Sequence, residues 1–306
     1  MSWVFLAGDE VYKLKKPVSY PFLDYSTLEA RAANVRAEVH LNRRLAPDVY
    51  LGAVALTESV SGELTIGGKG PVVDWLVRMR RLPDTAMLDY AIEHNTVRPG
   101  QIEALSERLA SFYERAVRAD FTPDAYFARF ARELADSRSV LLDSAVSLED
   151  AVIPRTFGRV EHALHRLRPV LESRVRQGHV VEGHGDLRPE HVCLLDPPIV
   201  IDCLEFNREL RFMDPFDELA FLGMECARLG GPWIRDRLIG RCSELLQDHP
   251  PETLIVFYTV FRALVRARLS LAHLLETDIS TPEKWRPLAR RYAAIAATFM
   301  FRPQED

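Results

Sequence analysis

The chain has 306 residues, 47% of them hydrophobic, enough to bury a large core and to favour two lobes over one compact unit. Its formal net charge is −5 and no Lys/Arg-rich block interrupts it, so nothing marks nucleic acid or an anionic membrane as a partner. Cys193, Cys203, Cys226 and Cys242 lie in apolar surroundings without CxxC spacing, no apolar run approaches a membrane span, and the start lacks a secretory leader pattern; a cytoplasmic protein with reduced thiols is expected.

The chain opens in an apolar run at residues 3–6, turns at Gly8-Asp9 and resumes as Val11-Tyr12-Lys13-Leu14-Lys15, an alternation that predicts a β-hairpin. Lys13 shares a face with Val11 and so points inward, where an ammonium is costly unless it meets an anion such as a nucleotide phosphate. Lys15 and Lys16 compete for the same role. Ser26-Thr27-Leu28-Glu29 reads as a capping box opening a helix that presents Leu28, Val35, Val39 and Leu45 at helical spacing and carries Glu38. Residues 54–57, 64–66 and 72–77 are expected to be strands completing a small antiparallel sheet. The glycines between 67 and 70 make a turn and not a P-loop, because GxxxxGK[ST] is not satisfied and a strand follows. Met79-Arg80-Arg81-Leu82-Pro83 reads as the crossover between lobes.

From 98 to 142 apolar residues recur helically, among them Ile102, Leu105, Leu109, Phe112 and Ala116. A second helical pattern runs from 157 to 176 with Val160, Leu164, Leu167 and Leu171 inward and His162 and His165 outward. Asp214 before Pro215, with Asp217 following, predicts a helix start. Residues 252–275 and 284–301 read as helices. Arg262 and Arg266 stand one turn apart, with Arg268 farther round; the pair either lines an acceptor pocket or lies on a solvated face. No internal repeat is evident.

The stretch that carries chemistry is His184-Gly185-Asp186-Leu187-Arg188-Pro189-Glu190-His191, followed by a short apolar strand, a turn at Asp196-Pro197-Pro198 and a second strand ending on Asp202. Asp186 and Asp202 thereby reach the same end of a hairpin. One can orient a reacting hydroxyl while the other holds a cation, as phosphoryl transfer from a metal-bound nucleotide requires. A competing reading takes His184, His191, Cys193 and Cys203 as a transition-metal site, although their spacing matches no recurrent zinc pattern.

At these residues the chain resembles the aminoglycoside phosphotransferase and choline kinase family, whose loop reads H-G-D-x-x-x-x-N and whose metal-binding acid falls at Asp202. The runs at residues 12–17, 22–27 and 202–207 resemble an uncharacterised bacterial branch of that family, often joined to a C-terminal P-loop ATPase; no Walker A lysine occurs in this chain. The resemblance implies an α+β, bilobal protein-kinase-like fold. Residues 1–80 would form a nucleotide-binding lobe of a small antiparallel sheet with one helix, and residues 81–306 a mainly helical lobe carrying the catalytic β-hairpin and the acceptor site. It implies an ATP-dependent phosphotransferase acting on a small-molecule hydroxyl, with ATP and Mg²⁺ as cofactors. Asp186 would accept the hydroxyl proton, Arg188 would reach the transferring phosphate, and Asp202 would hold the metal. Lys13, steadied by Glu38, would bind the α- and β-phosphates, backbone groups at Met79 and Arg80 would read adenine, and Asp214-Pro215 would brace the catalytic loop.

The chain departs from that pattern in two places. No glycine-rich loop precedes the lysine strand, so Ser2 or backbone amides near Phe5 would replace it, and the start reads as clipped. His191 stands where the family has a metal-binding asparagine, and imidazole is a poorer ligand than oxygen for Mg²⁺. Mn²⁺ at His191, a single ion on Asp202 with Glu205 adding an oxygen, or a catalytically silent nucleotide-binding module are the readings this leaves.

Overall fold

The computed structural model describes residues 2–20, 23–143, 148, 150–275 and 281–301; Phe22 of the 22–27 run lies outside them. Contacts divide the chain into two compact units, Met1–Ala116 with Glu182–Phe212 and Val117–Val181 with Met213–Asp306.

In the first unit the predicted hairpin forms as β1 (Ser2–Ala7) and β2 (Glu10–Lys15), turning at Gly8 with φ near +62°. β3 (Tyr50–Glu58), β4 (Leu64–Ile66) and β5 (Val72–Arg80) complete an antiparallel sheet in the order β1-β2-β5-β3-β4. β3 begins four residues before the expected 54, because a register shift at Gly52 disrupts the alternation that periodicity reads. Helix α1 (Leu28–Asn42) packs on β3 and β5. Its N-cap is Thr27, whose hydroxyl accepts from the Ala30 amide at 3.1 Å, one residue after the expected Ser26, so the Ser26–Glu29 capping box does not form because Ala30 stands at the third helical position, and Leu45 is buried beyond the helix end.

The side of α1 that faces the unit's interior carries Arg31, Val35, Glu38 and Asn42, all buried at helical spacing. Val35 and Val39 join Ala46, Val49, Tyr50, Val77 and Met79 in a core against which Val11, Ile199 and Ile201 pack. Each such large apolar side chain withdrawn from water contributes about 1.5–3 kcal/mol of transfer free energy. Helices α2 (Leu88–Glu93) and α3 (Pro99–Arg115) and the hairpin of β6 (Val192–Cys193) and β7 (Ile199–Val200), registered Ile199 to Cys193, belong to this unit. Asp186 and Asp202 therefore pack with the N-terminal sheet, although the chain leaves the unit at Val117 and returns only at Glu182.

The second unit is helical: α4 (Pro123–Leu141), α5 (Val152–Arg176), α6 (Pro215–Arg228), α7 (Trp233–Leu246), α8 (Glu252–Ala272) and α9 (Pro282–Met300). The pattern expected over 98–142 is two helices, since α3 stops at Arg115 and Thr122 opens α4 by accepting from the Ala125 amide. Phe130 on α4 packs edge-on against Phe257 and Phe261 of α8. Asp214 caps α6 through the Phe216 amide, and its carboxylate also takes Arg174, at 2.6 and 2.9 Å, and the Tyr258 hydroxyl. Its named partners are all within this unit, where the resemblance had suggested a brace for the catalytic loop.

Arg262 and Arg266 do not lie on a solvated face but pair with buried acids. Arg262 makes a bidentate pair with buried Asp217, both contacts 2.6 Å, and Arg266 lies 3.2 Å from buried Glu225. Arg268 pairs with Glu133 at 2.7 Å. Periodicity shows that these arginines share a helix but not that acids from other helices neutralise them. No helix among the described residues is long and apolar enough to cross a membrane, and all four cysteines are buried.

Candidate active site

The strand period places Val11, Lys13 and Lys15 on one face of β2, opposite the Glu38 position of α1. Lys13 Nζ lies 2.7 Å from one Glu38 carboxylate oxygen and 2.5 Å from Asp202 Oδ1. Lys15 Nζ lies 2.5 Å from the other Glu38 oxygen and pairs with Glu205, which also accepts from the Tyr25 hydroxyl at 2.8 Å. Glu38 is wholly buried and bridges two ammonium groups. Burial pulls the Lys13 pKa down, but attraction to Glu38 and then to Asp202 outweighs it and holds the pKa well above its ordinary value. Lys15 is raised the same way by Glu38 and Glu205 against burial. Of the three candidate lysines, Lys16 goes elsewhere, over the Trp3 ring.

The loop entering the hairpin depends on Gly185, at φ near +91°; a Cβ there would fall 2.9 Å from Leu204 Cβ and 3.1 Å from Arg211 Cγ. His184 braces the backbone, Nε2 donating to the Ile201 carbonyl at 2.8 Å and Nδ1 accepting from the Asp186 amide. Asp202 itself adopts a left-handed conformation, φ near +63°. Its amide donates to the Tyr50 hydroxyl at 3.1 Å, and the next amide, of Cys203, donates to Asn42 Oδ1 at 2.8 Å. Arg44, just past α1, donates to the carbonyls of Glu182 and Gly183. These bonds hold an unfavourable backbone in place. Burial pushes the Asp202 carboxyl up, but Lys13 and then His191 outweigh it and keep the pKa below the usual carboxylate range.

Asp186 is partly exposed, and Arg188 Nε lies 3.2 Å from its Oδ2 while Arg188 Nη1 meets Glu190 at 3.0 Å. His191 Nδ1 lies 2.8 Å from the Asp186 carbonyl oxygen, and Nε2 lies 3.5 Å from Asp202 Oδ2. Glu205 Oε1 accepts from Lys15 and from the Tyr25 hydroxyl. Among the described residues no three His, Cys, Asp or Glu side chains gather as a metal set. Cys203 Sγ lies 3.1 Å from the His184 carbonyl, and burial pushes the Cys193 thiol up, so the imagined His/Cys site has backbone-bound and protonated members.

A cavity of about 420 Å³ opens beside these groups. Val4, Leu6 and Val11 line it from the hairpin, Met87 and Ile201 add apolar wall, and Lys13, Asp202, His191, Glu190, Arg81 and Asp84 bring polar groups to it. Val4 and Leu6 are 56% and 60% exposed, as their strand neighbours Trp3 and Phe5, which do not line the cavity, are at 45% and 50%. Met79 and Arg80 line the cavity as well. The Arg80 amide, however, donates to the Val49 carbonyl at 2.9 Å and the Arg81 amide to Asp9 at 2.8 Å. Leu82 brings the next N–H before Pro83, which has none.

Sequence reasoning missed Tyr50, Asn42, Arg44 and Tyr25. The one signal that points to Asn42 is the α1 spacing, which repeats a polar residue at 31, 38 and 42 on the face that should be apolar.

No protein-family model matches the chain. Uncharacterized proteins of Mycobacterium tuberculosis and Mycobacterium bovis are 33% identical to it over 272 residues, 87% of this chain and 52% of theirs, so the chain spans about half the length of the curated relatives it matches. Among solved structures, a choline/ethanolamine kinase family protein from Mesorhizobium loti aligns at TM-score 0.60 with 16% identity, covering 99% of this chain and 86% of that one. Choline kinase from Streptococcus pneumoniae aligns at 0.53 with 14% identity over 96% and 89%. Aminoglycoside 2'-phosphotransferase-IIIa, solved as its GDP complex, aligns at 0.50 with 14% identity over the same shares.

Proposed function

We propose, from the protein-kinase-like fold that this chain shares with choline kinases and aminoglycoside phosphotransferases, that it moves the γ-phosphoryl group of ATP to a hydroxyl of a small molecule. The observation that carries the reading is the meeting of Lys13 and Asp202 in the wall of one cavity, with Glu38 buried behind Lys13. Residues 1–80 serve nucleotide binding, and residues 81–306 serve catalysis and the acceptor. ATP, reduced thiols and a small-molecule acceptor fit a cytoplasmic setting.

The base lies between the β1–β2 side chains and Met87 with Ile201, its edge read by the Leu82 amide, since that of Arg80 is committed. Lys13 leaves Asp202 for the phosphates while Glu38 keeps it oriented. Asp186 accepts the acceptor's proton as the hydroxyl oxygen bonds to the γ-phosphorus and the bridging P–O bond breaks, its electrons leaving with ADP. Arg188, beside Asp186, supplies positive charge to the transferring group. Asp202 and His191 would hold one divalent ion, since Mg²⁺ and Mn²⁺ sites in kinases use few protein ligands. Such an ion, when bound, neutralises charge on the β- and γ-phosphates.

A silent nucleotide-binding module is the second reading, favoured by the histidine at 191. Purified protein incubated with ATP, Mg²⁺ or Mn²⁺ and a panel of amino alcohols, sugars and aminoglycosides decides between them. Turnover that Asp186→Asn abolishes while nucleotide binding persists supports the kinase; binding without turnover across the panel supports the silent module.

A further inference from the structure

Tyr50 owes its place to a break in the sheet. Met79 of β5 faces Val11 of β2 and Val77 faces Lys13, so these four residues share the face of the sheet that carries the lysine. From Gly52 to Leu56, β3 follows β5 residue for residue, Gly52 opposite Arg78 and Ala53 opposite Val77. Continued at that step, Leu51 would face Met79 and Tyr50 would fall opposite Arg80, on the other side. Instead Tyr50 faces Met79, Leu51 is the extra residue of a bulge, and the phenol is turned on to the Lys13 face. Its ring is fully buried with Val35, Val39, Val77 and Met79, and it lines the cavity together with Lys13 and Asp202.

Asp202 has φ near +63°, a conformation that side chains other than glycine adopt at a cost. Two buried side chains take the amides of this turn, the Tyr50 hydroxyl oxygen that of Asp202 at 3.1 Å and Asn42 Oδ1 that of Cys203 at 2.8 Å. Asn42 is itself fixed, its Nδ2 donating to the Glu38 carbonyl at 2.9 Å. The Asp202 side chain is 43% exposed, so packing does not aim it, and Lys13, which pairs with it, is the group that phosphates would draw away. The backbone beneath the carboxylate must then set its direction. We infer that Tyr50, with Asn42, is a positioning residue for Asp202: once Lys13 turns to the phosphates, the two bonds to the 202–203 backbone keep the carboxylate directed at the ion that accompanies the nucleotide. The inference rests on the nucleotide-binding reading and deepens it by naming the groups that aim Asp202.

The test uses the full chain and a non-hydrolysable ATP analogue, titrated calorimetrically with Mg²⁺ and again with the metal chelated. Tyr50→Phe keeps the ring and removes the oxygen. With Mg²⁺ the analogue should lose about three- to tenfold in affinity, the worth of one hydrogen bond, and without metal it should lose nothing, since Lys13 and Glu38 are untouched. In an Asp202→Asn background, which has no carboxylate to aim, Tyr50→Phe should cost nothing further with Mg²⁺. Asn42→Ala should repeat the pattern and serves if Tyr50→Phe folds poorly. No loss with Mg²⁺, equal losses with and without metal, or a loss that persists in Asp202→Asn overturns this inference and leaves the nucleotide-binding reading standing. A wild type that binds the analogue equally well with and without Mg²⁺ overturns the role of Asp202 toward the ion and this inference with it. No binding in either condition overturns the reading of the site as well.

Discussion

Glu38→Gln is the most direct probe of the ionic chain beneath the proposed phosphate site. Glu38 is wholly buried with ammonium groups 2.7 and 2.5 Å from its two oxygens, and removing one partner of a buried pair costs about 3–5 kcal/mol. Each lysine keeps a second acid, Lys13 with Asp202 and Lys15 with Glu205, so the lower end, about 3 kcal/mol, is expected. For a chain of this size that lowers Tm by about 5 °C. Lys13 also loses the anchor that would hold it once a phosphate draws it from Asp202, so affinity for a non-hydrolysable ATP analogue should fall about tenfold, equivalent to about 1.4 kcal/mol. Scanning calorimetry measures the first effect and isothermal titration the second. Lys15→Met, alone and combined with Glu38→Gln, closes a cycle in which a coupling of about 1 kcal/mol or more is expected between groups in contact. A Glu38→Gln protein that melts within about 1 °C of the wild type, with additive effects in the cycle, would refute the claim that this acid organises the two lysines.

Three further outcomes are expected. Gly185→Ala, forced into a left-handed backbone with its Cβ against Leu204 and Arg211, should destabilise the protein by about 1–3 kcal/mol and weaken analogue binding; unchanged denaturation and binding would show that the loop has room. Asp217→Ala leaves buried Arg262 without its bidentate partner and should cost about 3–5 kcal/mol in chemical denaturation, with analogue affinity at permissive temperature unchanged; an affinity loss with no stability loss would return Arg262 to a substrate role. The lowered pKa of Asp202 means that its ionised form stabilises the fold above the unfolded value, about 3.9, and that this contribution drains away as pH falls below it toward the folded value. The stability difference between wild type and Asp202→Asn should therefore be constant from about pH 5 upward and shrink below about pH 4; a difference that stays flat down to pH 3 would contradict the assignment.

Much of the small sheet was legible because β2 alternates and its turn is marked by glycine, and the same alternation turned Lys13 inward. Asp186 and Asp202 were legible as the two ends of a short hairpin. Glu38 came from resemblance alone, because half of the inward face of α1 is polar: Arg31 serves Asp74, Glu38 serves two lysines, and Asn42 serves the Cys203 amide. A periodicity that scores only apolar residues finds Val35 and Val39 there and passes over the polar residues buried beside them. Tyr50 was hidden by the register shift at Gly52, and its bond to the Asp202 amide spans 152 positions of chain. Arg262 and Arg266 were misread for a related reason: whether a helical arginine meets water or an acid depends on which helix packs beside it.

The distance along the chain between the charged partners bears on how the protein is made. Lys13 and Asp202 are 189 positions apart, and Lys15 and Glu205 are 190 apart. At a synthesis rate of about 5–20 residues per second, the acids leave the ribosome roughly 10 to 40 s after the lysines. During that interval Glu38 is, among the described residues, the one ion-pair partner of Lys13 and Lys15 already synthesised.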